Sequence, residues 1–252
     1  MSSLLTEKVA LITGSSRGIG AAVAKRMARM GAAVVINYRN NRECALEVLQ
    51  KVKENGGRGL IIQADVTERE AVEEMDRTIR ENFGAVDVLV NNAGFTVEIN
   101  PLHKISWEGL MGAAKHEFSA LYNCSQTFVP GMIEKKKGKI VVISSRVANQ
   151  PLPGLGAYAA AKAGLEALAN TMAIELGPFG ITINIVRPAF TLTDGSKVMP
   201  EGYKEKARQS RPLRKDLYPE DVAGTVAFLA TDDANMVTGS TIQVSGGSHL
   251  QS

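Results

Sequence analysis

Seven short apolar runs punctuate the chain, at 9–12, 33–36, 59–62, 86–90, 140–143, 181–186 and 241–244. A strand with one face in water alternates apolar and polar residues, whereas one covered on both faces reads as an unbroken apolar run. Most of these runs are continuous rather than alternating. Between them lie longer segments whose apolar residues recur at helical spacing, near 18–30, 41–55, 68–83, 105–135, 157–177 and 219–230. Strand, helix, strand, repeated throughout, predicts an α/β fold with a doubly wound parallel sheet of seven strands flanked by helices. No low-complexity linker or internal repeat divides the pattern, which predicts one domain over 1–252. The least patterned stretch, 188–215, is too long for an ordinary connection and is expected to be a substrate lid.

Composition narrows the partners. The 252 residues suffice for a sizeable core, and 29 Lys plus Arg against 26 Asp plus Glu leave a net charge of only +3. Basic residues alternate with acids, and Lys135-Lys136-Lys137 reads as a solvated turn, so nucleic acid is not expected. Aromatics at 5% argue against a stacking platform for single strands. Two cysteines, Cys44 and Cys124, belong to no CxxC or Cys/His cluster, so neither a disulfide framework nor a metal site is expected. The start lacks a basic region followed by a long apolar stretch, and no window approaches ~20 apolar residues. The expected setting is the cytoplasm, with no membrane partner.

The first strand runs straight into Thr13-Gly14-Ser15-Ser16-Arg17-Gly18-Ile19-Gly20 and then into a helix. Glycines permit the tight turn and let the backbone approach a pyrophosphate, whose charge a helix N-terminus favours. The spacing is GxxxGxG, not GxGxxG, but its place at the head of a βαβ unit marks a Rossmann-type dinucleotide site. An NAD-selective site of this kind carries an acid after its second strand, to take the ribose hydroxyls. Here Ile36-Asn37-Tyr38-Arg39-Asn40-Asn41-Arg42 has none. Arg17 and Arg39 instead suit a 2′-phosphate, which predicts NADP(H) in preference to NAD(H).

Tyr158 and Lys162 lie four apart in a strongly helical segment and share one face. A free tyrosine, with a pKa near ~10, exchanges protons poorly at neutral pH, and a neighbouring ammonium stabilises its tyrosinate. The pair follows the fifth strand, which ends Ile143-Ser144-Ser145. At this point the sequence resembles the short-chain dehydrogenase/reductase family, from about residue 7 to 248. The glycine turn matches TGxxxGIG, Asn91-Asn92-Ala93-Gly94 matches NNAG, and Tyr158 with Lys162 matches YxxxK. Ser145, thirteen residues before Tyr158, stands where the family's catalytic serine does. Asp65, with Val66 beside it, matches the residue that meets the adenine, Pro188 belongs to the family's Pro-Gly turn, and Thr193 falls where a threonine often meets the nicotinamide carboxamide.

The resemblance implies roles. Ser145 would orient the substrate carbonyl and Tyr158 would donate or withdraw the proton. Lys162 would support the tyrosinate and hold the nicotinamide ribose, while Gly14, Ser16, Arg17, Gly18, Ile19, Gly20, Arg39, Asp65, Val66, Asn92, Ala93 and Gly94 would line the cofactor. One departure concerns the family's relay asparagine, 28 residues before the serine: counting back from Ser145 reaches Glu117. A glutamate there could accept a water proton in a retuned relay, or oppose the tyrosinate by like charge. His116 beside it reads more simply as structural, and Asn123, six residues on, as badly placed to substitute. Arg187 is expected either to contact an anionic substrate or the cofactor, or to pair with the lid.

The general look is that of 3-oxoacyl-(acyl carrier protein) reductases, through the turn after the second strand and the TGSTIQVSGG ending. The expected function is NADP(H)-dependent interconversion of a ketone and a secondary alcohol, on a 3-oxoacyl thioester of a carrier protein or CoA, or a related carbonyl compound. The rival reading is a dinucleotide-binding homologue with lost or retuned turnover, acting as a partner or sensor. Selectivity is expected from 188–215, the 95–105 loop and the last few residues. The resemblance implies a homotetramer through the long helices after strands four and five; the small apolar residues along 157–177 permit such close helix contact, and a homodimer would fit equally well.

Overall fold

The computed structural model describes residues 4–95 and 98–250. Its strands are β1 (Val9–Ile12), β2 (Ala33–Tyr38), β3 (Arg58–Gln63), β4 (Val88–Asn91), β5 (Gly138–Ile143), β6 (Ile181–Pro188) and β7 (Thr241–Val244). The helices are α1 (Gly18–Arg29), α2 (Arg42–Glu54), α3 (Arg69–Phe83), α4 (Trp107–Lys135), α5 (Gly156–Leu176), α6 (Glu201–Gln209) and α7 (Pro219–Leu229). All seven strands form one parallel sheet in the order β3-β2-β1-β4-β5-β6-β7.

Burial on both faces explains the apolar runs of β1, β2, β4, β5 and β6, whereas the edge strands β3 and β7, expected to be covered likewise, are only half-buried. Along β1, Ala10 and Ile12 pack into one core with residues of α1, α2 and α7, while Val9 and Leu11 pack into the other with α3, α4 and α5. Residues β1 to β4 pair Leu11 with Leu89 and Ile12 with Val90, and β1 to β2 pair Ile12 with Ile36. Chain order reverses between β1 and β4, so the loops leaving their C-terminal ends part and open a crevice there, where open α/β sheets bind ligands.

Four segments differ from the sequence pattern in the following ways. The fourth strand begins at Val88 instead of 86, and β2 and β6 run on to Tyr38 and Pro188. Within 188–215 stands a helix, α6, which the pattern did not predict. None of its residues is buried, so its sequence EGYKEKARQ carries no apolar stripe to betray it. Of the expected selectivity segments, residues 96–97 of the loop and 251–252 at the end lie outside the described residues.

Candidate active site

The glycine turn is built as much by its neighbours as by its glycines. Gly14 has φ +60°, and a Cβ there would lie 2.8 Å from the Ala93 Cα; one at Gly20 would lie 2.5 Å from the Asn92 amide nitrogen. Thr13 Oγ1 accepts from the backbone amides of Asn92 and Ala93, both at 2.9 Å, while Asn92 Nδ2 donates to the Thr13 carbonyl at 2.8 Å. Asn37 Oδ1 accepts from the Gly14 amide at 3.0 Å, and its Nδ2 donates to the Ala64 carbonyl at 3.0 Å. Thr13 and Asn37 were therefore missed as organisers of the turn. Their signal was a polar residue at the end of a buried strand, which must hydrogen-bond something.

A cleft of about 730 Å³ opens over the ends of β1, β2 and β3. Gly14, Ser16, Arg17, Arg39, Asp65, Val66, Ala93 and Gly94 all line it, as does His116. Gly18 lines the neighbouring cleft across the turn, and Gly20 sits behind it against Asn92. Burial pushes the Asp65 carboxyl up, but the Thr67 amide and hydroxyl, then Arg39 at 3.4 Å, outweigh it and hold it below the usual carboxylate range. Burial holds the His116 imidazole below its ordinary value against the pull of Glu117, and its ring lies 5.4 Å from that of Phe95. The first turn of α1 carries no acid. Cleft size, bare glycine backbone, an acid-free helix start and the cations Arg17 and Arg39 in the lining together fit a dinucleotide.

A second cavity, of about 270 Å³, continues over the ends of β4, β5 and β6. It brings together Ser145, Tyr158, Lys162 and Glu117 with Ile19, Asn92, Gly94, Pro188 and Thr193. Ser145 leaves β5 in extended backbone and its Oγ accepts from the Val147 amide at 3.4 Å. Tyr158 and Lys162 rise from the first turns of α5, and the Lys162 Nζ lies 5.9 Å from the tyrosine ring centre. The Tyr158 ring meets Phe95 edge to face, centres 5.9 Å apart.

Lys162 is held from behind. Its Nζ donates to the Ile143 carbonyl at 2.9 Å and lies 2.8 Å from Glu117 Oε1, with both residues buried. Burial opposes the ammonium, but the Glu117 carboxylate, then Tyr158 and Glu166, outweigh it and raise its pKa. Asn123 instead donates to the Val66 carbonyl at 3.2 Å, away from this cavity. Glu117 therefore reaches the lysine directly, and Asn123 does not.

Arg187, expected to meet an anionic substrate, the cofactor or the 188–215 segment, pairs instead with Glu166 on α5. Its Nε donates to Glu166 Oε1 at 2.7 Å and a second nitrogen bonds Glu166 Oε2, while Ser144 Oγ donates to the same carboxylate at 2.5 Å. The hydrogen bond to Glu166 is the main reason the guanidinium pKa is raised. Glu166 lies one turn beyond Lys162, so this network braces the end of β6 against the helix that carries Tyr158 and Lys162. Sequence spacing gave no hint of it, because the partners lie 21 and 22 residues apart.

Comparison with known proteins agrees with this geometry. The family model described as "Enoyl-(Acyl carrier protein) reductase" matches residues 14–249. The 3-oxoacyl-(acyl-carrier-protein) reductase FabG of Staphylococcus epidermidis is 36% identical over 245 residues, covering 96% of this chain and 99% of that protein. The 3-oxoacyl-(acyl-carrier-protein) reductase of Synechocystis is 37% identical over 244 residues, covering 96% and 97%. The crystal structure of a dehydrogenase/reductase from Sinorhizobium meliloti superposes with a TM-score of 0.90 at 36% identity, covering 98% of this chain and 97% of that one. The fold and site define a dinucleotide-dependent oxidoreductase. The chain belongs to the short-chain dehydrogenase/reductase family. No helix among the described residues is long and apolar enough to cross a membrane.

Proposed function

We propose that the protein is an NADP(H)-dependent carbonyl reductase, interconverting a ketone and a secondary alcohol, with 3-oxoacyl thioesters as its substrate class. The observation that carries this reading is the convergence of Ser145, Tyr158 and Lys162 in one cavity beside the dinucleotide cleft. The bound nicotinamide would supply or accept the hydride. Ser145 and Tyr158 offer two hydroxyls to one carbonyl oxygen: the serine orients and polarises it, and the tyrosine delivers the proton. The Lys162 charge favours the tyrosinate that results, and the same ammonium would hold ribose hydroxyls. Gly14, Ser16, Gly18, Ile19 and Gly20 would shape the pyrophosphate turn, Asp65 and Val66 the adenine end, and Asn92, Ala93, Gly94, Pro188 and Thr193 the nicotinamide end.

The relatives named as 3-oxoacyl-(acyl-carrier-protein) reductases support the thioester class. The test is oxidation of NADPH by the purified protein with a panel of ketones that includes 3-oxoacyl thioesters. Tyr158→Phe is expected to lower kcat at least about 10²-fold, in line with loss of a general acid, while still binding NADPH. Failure of every ketone to oxidise NADPH would overturn the reading. Turnover is equally the measurement that separates it from the partner-or-sensor alternative, which requires dinucleotide binding without it and no recovery in Glu117→Asn.

The cofactor preference rests on Arg17 and Arg39 lining the adenosine end with no acid at the end of β2. NADPH is expected to exceed NADH in kcat/KM, and Arg39→Gln to erode that ratio by roughly tenfold, as for loss of one charge-assisted contact. An unchanged ratio in this variant would remove Arg39 from the phosphate site.

A further inference from the structure

Beyond the catalytic cavity, the 188–215 segment closes over another space of about 230 Å³. It shares Ala189 with the catalytic cavity, and Arg146, the residue after Ser145, stands on its wall. Tyr203, Lys206 and Ala207 face it at helical spacing from α6, and Phe190 meets Tyr203 edge to face with ring centres 5.0 Å apart. The walls are thus apolar and aromatic, but three cations line them and no carboxylate does.

Arg211 is the unusual member. It is only 2% exposed, and its guanidinium donates to the Lys215 carbonyl at 2.7 Å and to the Phe190 carbonyl. Those bonds satisfy hydrogens but bring no counter-ion into contact. Its Nε, like the hydroxyl of Ser248 in the same lining, is buried without a hydrogen-bond partner among the described residues. The acid that most favours its charge, Asp216, is already bound by Arg208 at 2.8 Å. Burial and the neighbouring Arg146 both work against the Arg211 cation. A buried cation without a counter-ion is costly, and one beside a second unpaired guanidinium more so. Asp216 and Asp221 favour the Arg211 charge electrostatically, but among the described residues no carboxylate forms an ion pair with Arg211 or Arg146.

We infer that this cavity binds a carboxylate, and that the carbonyl substrate is an oxo acid. Its carboxylate enters between Arg146, Lys206 and Arg211 while its carbonyl faces Ser145 and Tyr158. A planar carboxylate matches the guanidinium fork, and the aromatic walls suit a short hydrocarbon spacer. The substrate assignment rests on the reductase reading above; the carboxylate site does not. A 3-oxoacyl thioester with a carboxylate on its acyl chain satisfies both.

The test compares 4-oxopentanoate and 5-oxohexanoate with their methyl esters at saturating NADPH. At least one free acid is expected to exceed its ester by tenfold or more in kcat/KM, chiefly through KM. Arg146→Gln is expected to collapse that acid-to-ester ratio by roughly 10–100-fold, a ratio in which any general loss of activity cancels. Lys206→Gln gives a second, exposed position that does not endanger folding as Arg211→Gln would. Calorimetric binding of 5-oxohexanoate to the protein with NADP⁺, lost in Arg146→Gln, reads the site without turnover. Equal use of acids and esters, unaltered by Arg146→Gln, would overturn the inference and leave the reductase reading intact. Arg146-dependent binding with no ketone reduced would keep the carboxylate site and remove the reductase reading.

Discussion

At the scale of single residues, the charge balance around Lys162 decides how the site responds to pH. The ammonium is buried, which alone would lower its pKa, yet Glu117 at 2.8 Å reverses the sign and raises it. A raised lysine contributes stability that is present below its unfolded value and is lost as pH rises through the folded one. The ion pair therefore holds through neutral pH and weakens only in strongly alkaline solution. Glu117→Gln removes the largest influence raising Lys162 and leaves burial in control. Its Lys162 should lose its proton at lower pH, shifting the alkaline limb of kcat/KM towards neutrality. Because a buried cation is left unpaired, unfolding stability should also fall by about 3–5 kcal/mol. Glu117 acts here through the lysine, as a positioning residue. A pH profile that superposes on the wild type, measured alongside denaturant unfolding, would deny it that role.

At the scale of elements, the turn between β1 and α1 is fixed by backbone geometry. Gly14 combines a left-handed φ with an amide bonded to Asn37 and a Cα face pressed on Ala93. Gly14→Ala should cost roughly 1–3 kcal/mol in stability and weaken NADPH binding, since the methyl must displace backbone that forms the cleft. Fluorescence titration of NADPH with urea unfolding checks both; a variant matching wild type in each would show that the turn has slack. The turn was legible in the sequence because strand, glycines and helix are contiguous. So were the central strands, whose apolar runs are too short for helices and recur between helical segments. What stayed hidden lacks a local signature. The α6 helix buries nothing, and so has no stripe. The Glu166 network and the Arg146–Arg211 proximity join residues distant in sequence, so Arg187 was expected to meet substrate, cofactor or lid and not Glu166. Glu117 was found by counting because α4 runs unbroken, so one fixed offset still lands on the face that meets Lys162.

At the scale of the whole molecule, the outward faces of α4 and α5 are out of character for helices facing water. Along α5, Ala160, Ala163, Ala167, Thr171 and Ile174 are exposed at helical spacing without one charge among them, and Ile174 is 80% exposed. The adjacent α4 carries no charged residue between Glu117, which is buried, and Glu134, and presents Tyr122 at 61% exposure. Solvent-facing helices ordinarily carry charge on that side. Small residues in a stripe also let a second helix approach closely. We propose that a second copy of the chain covers this face, so that the inner sides of the same two helices, which hold Tyr158, Lys162 and Glu117, are braced from outside. Light scattering after size exclusion should give a dimer or tetramer. Ala167→Arg, an exposed substitution in the middle of the stripe, should shift it to monomer and reduce kcat by loosening α5. A wild-type monomer at micromolar concentration would sink the proposal. A variant that stays assembled would move the contact elsewhere, because a desolvated, unpaired arginine at a close helix crossing is not tolerated.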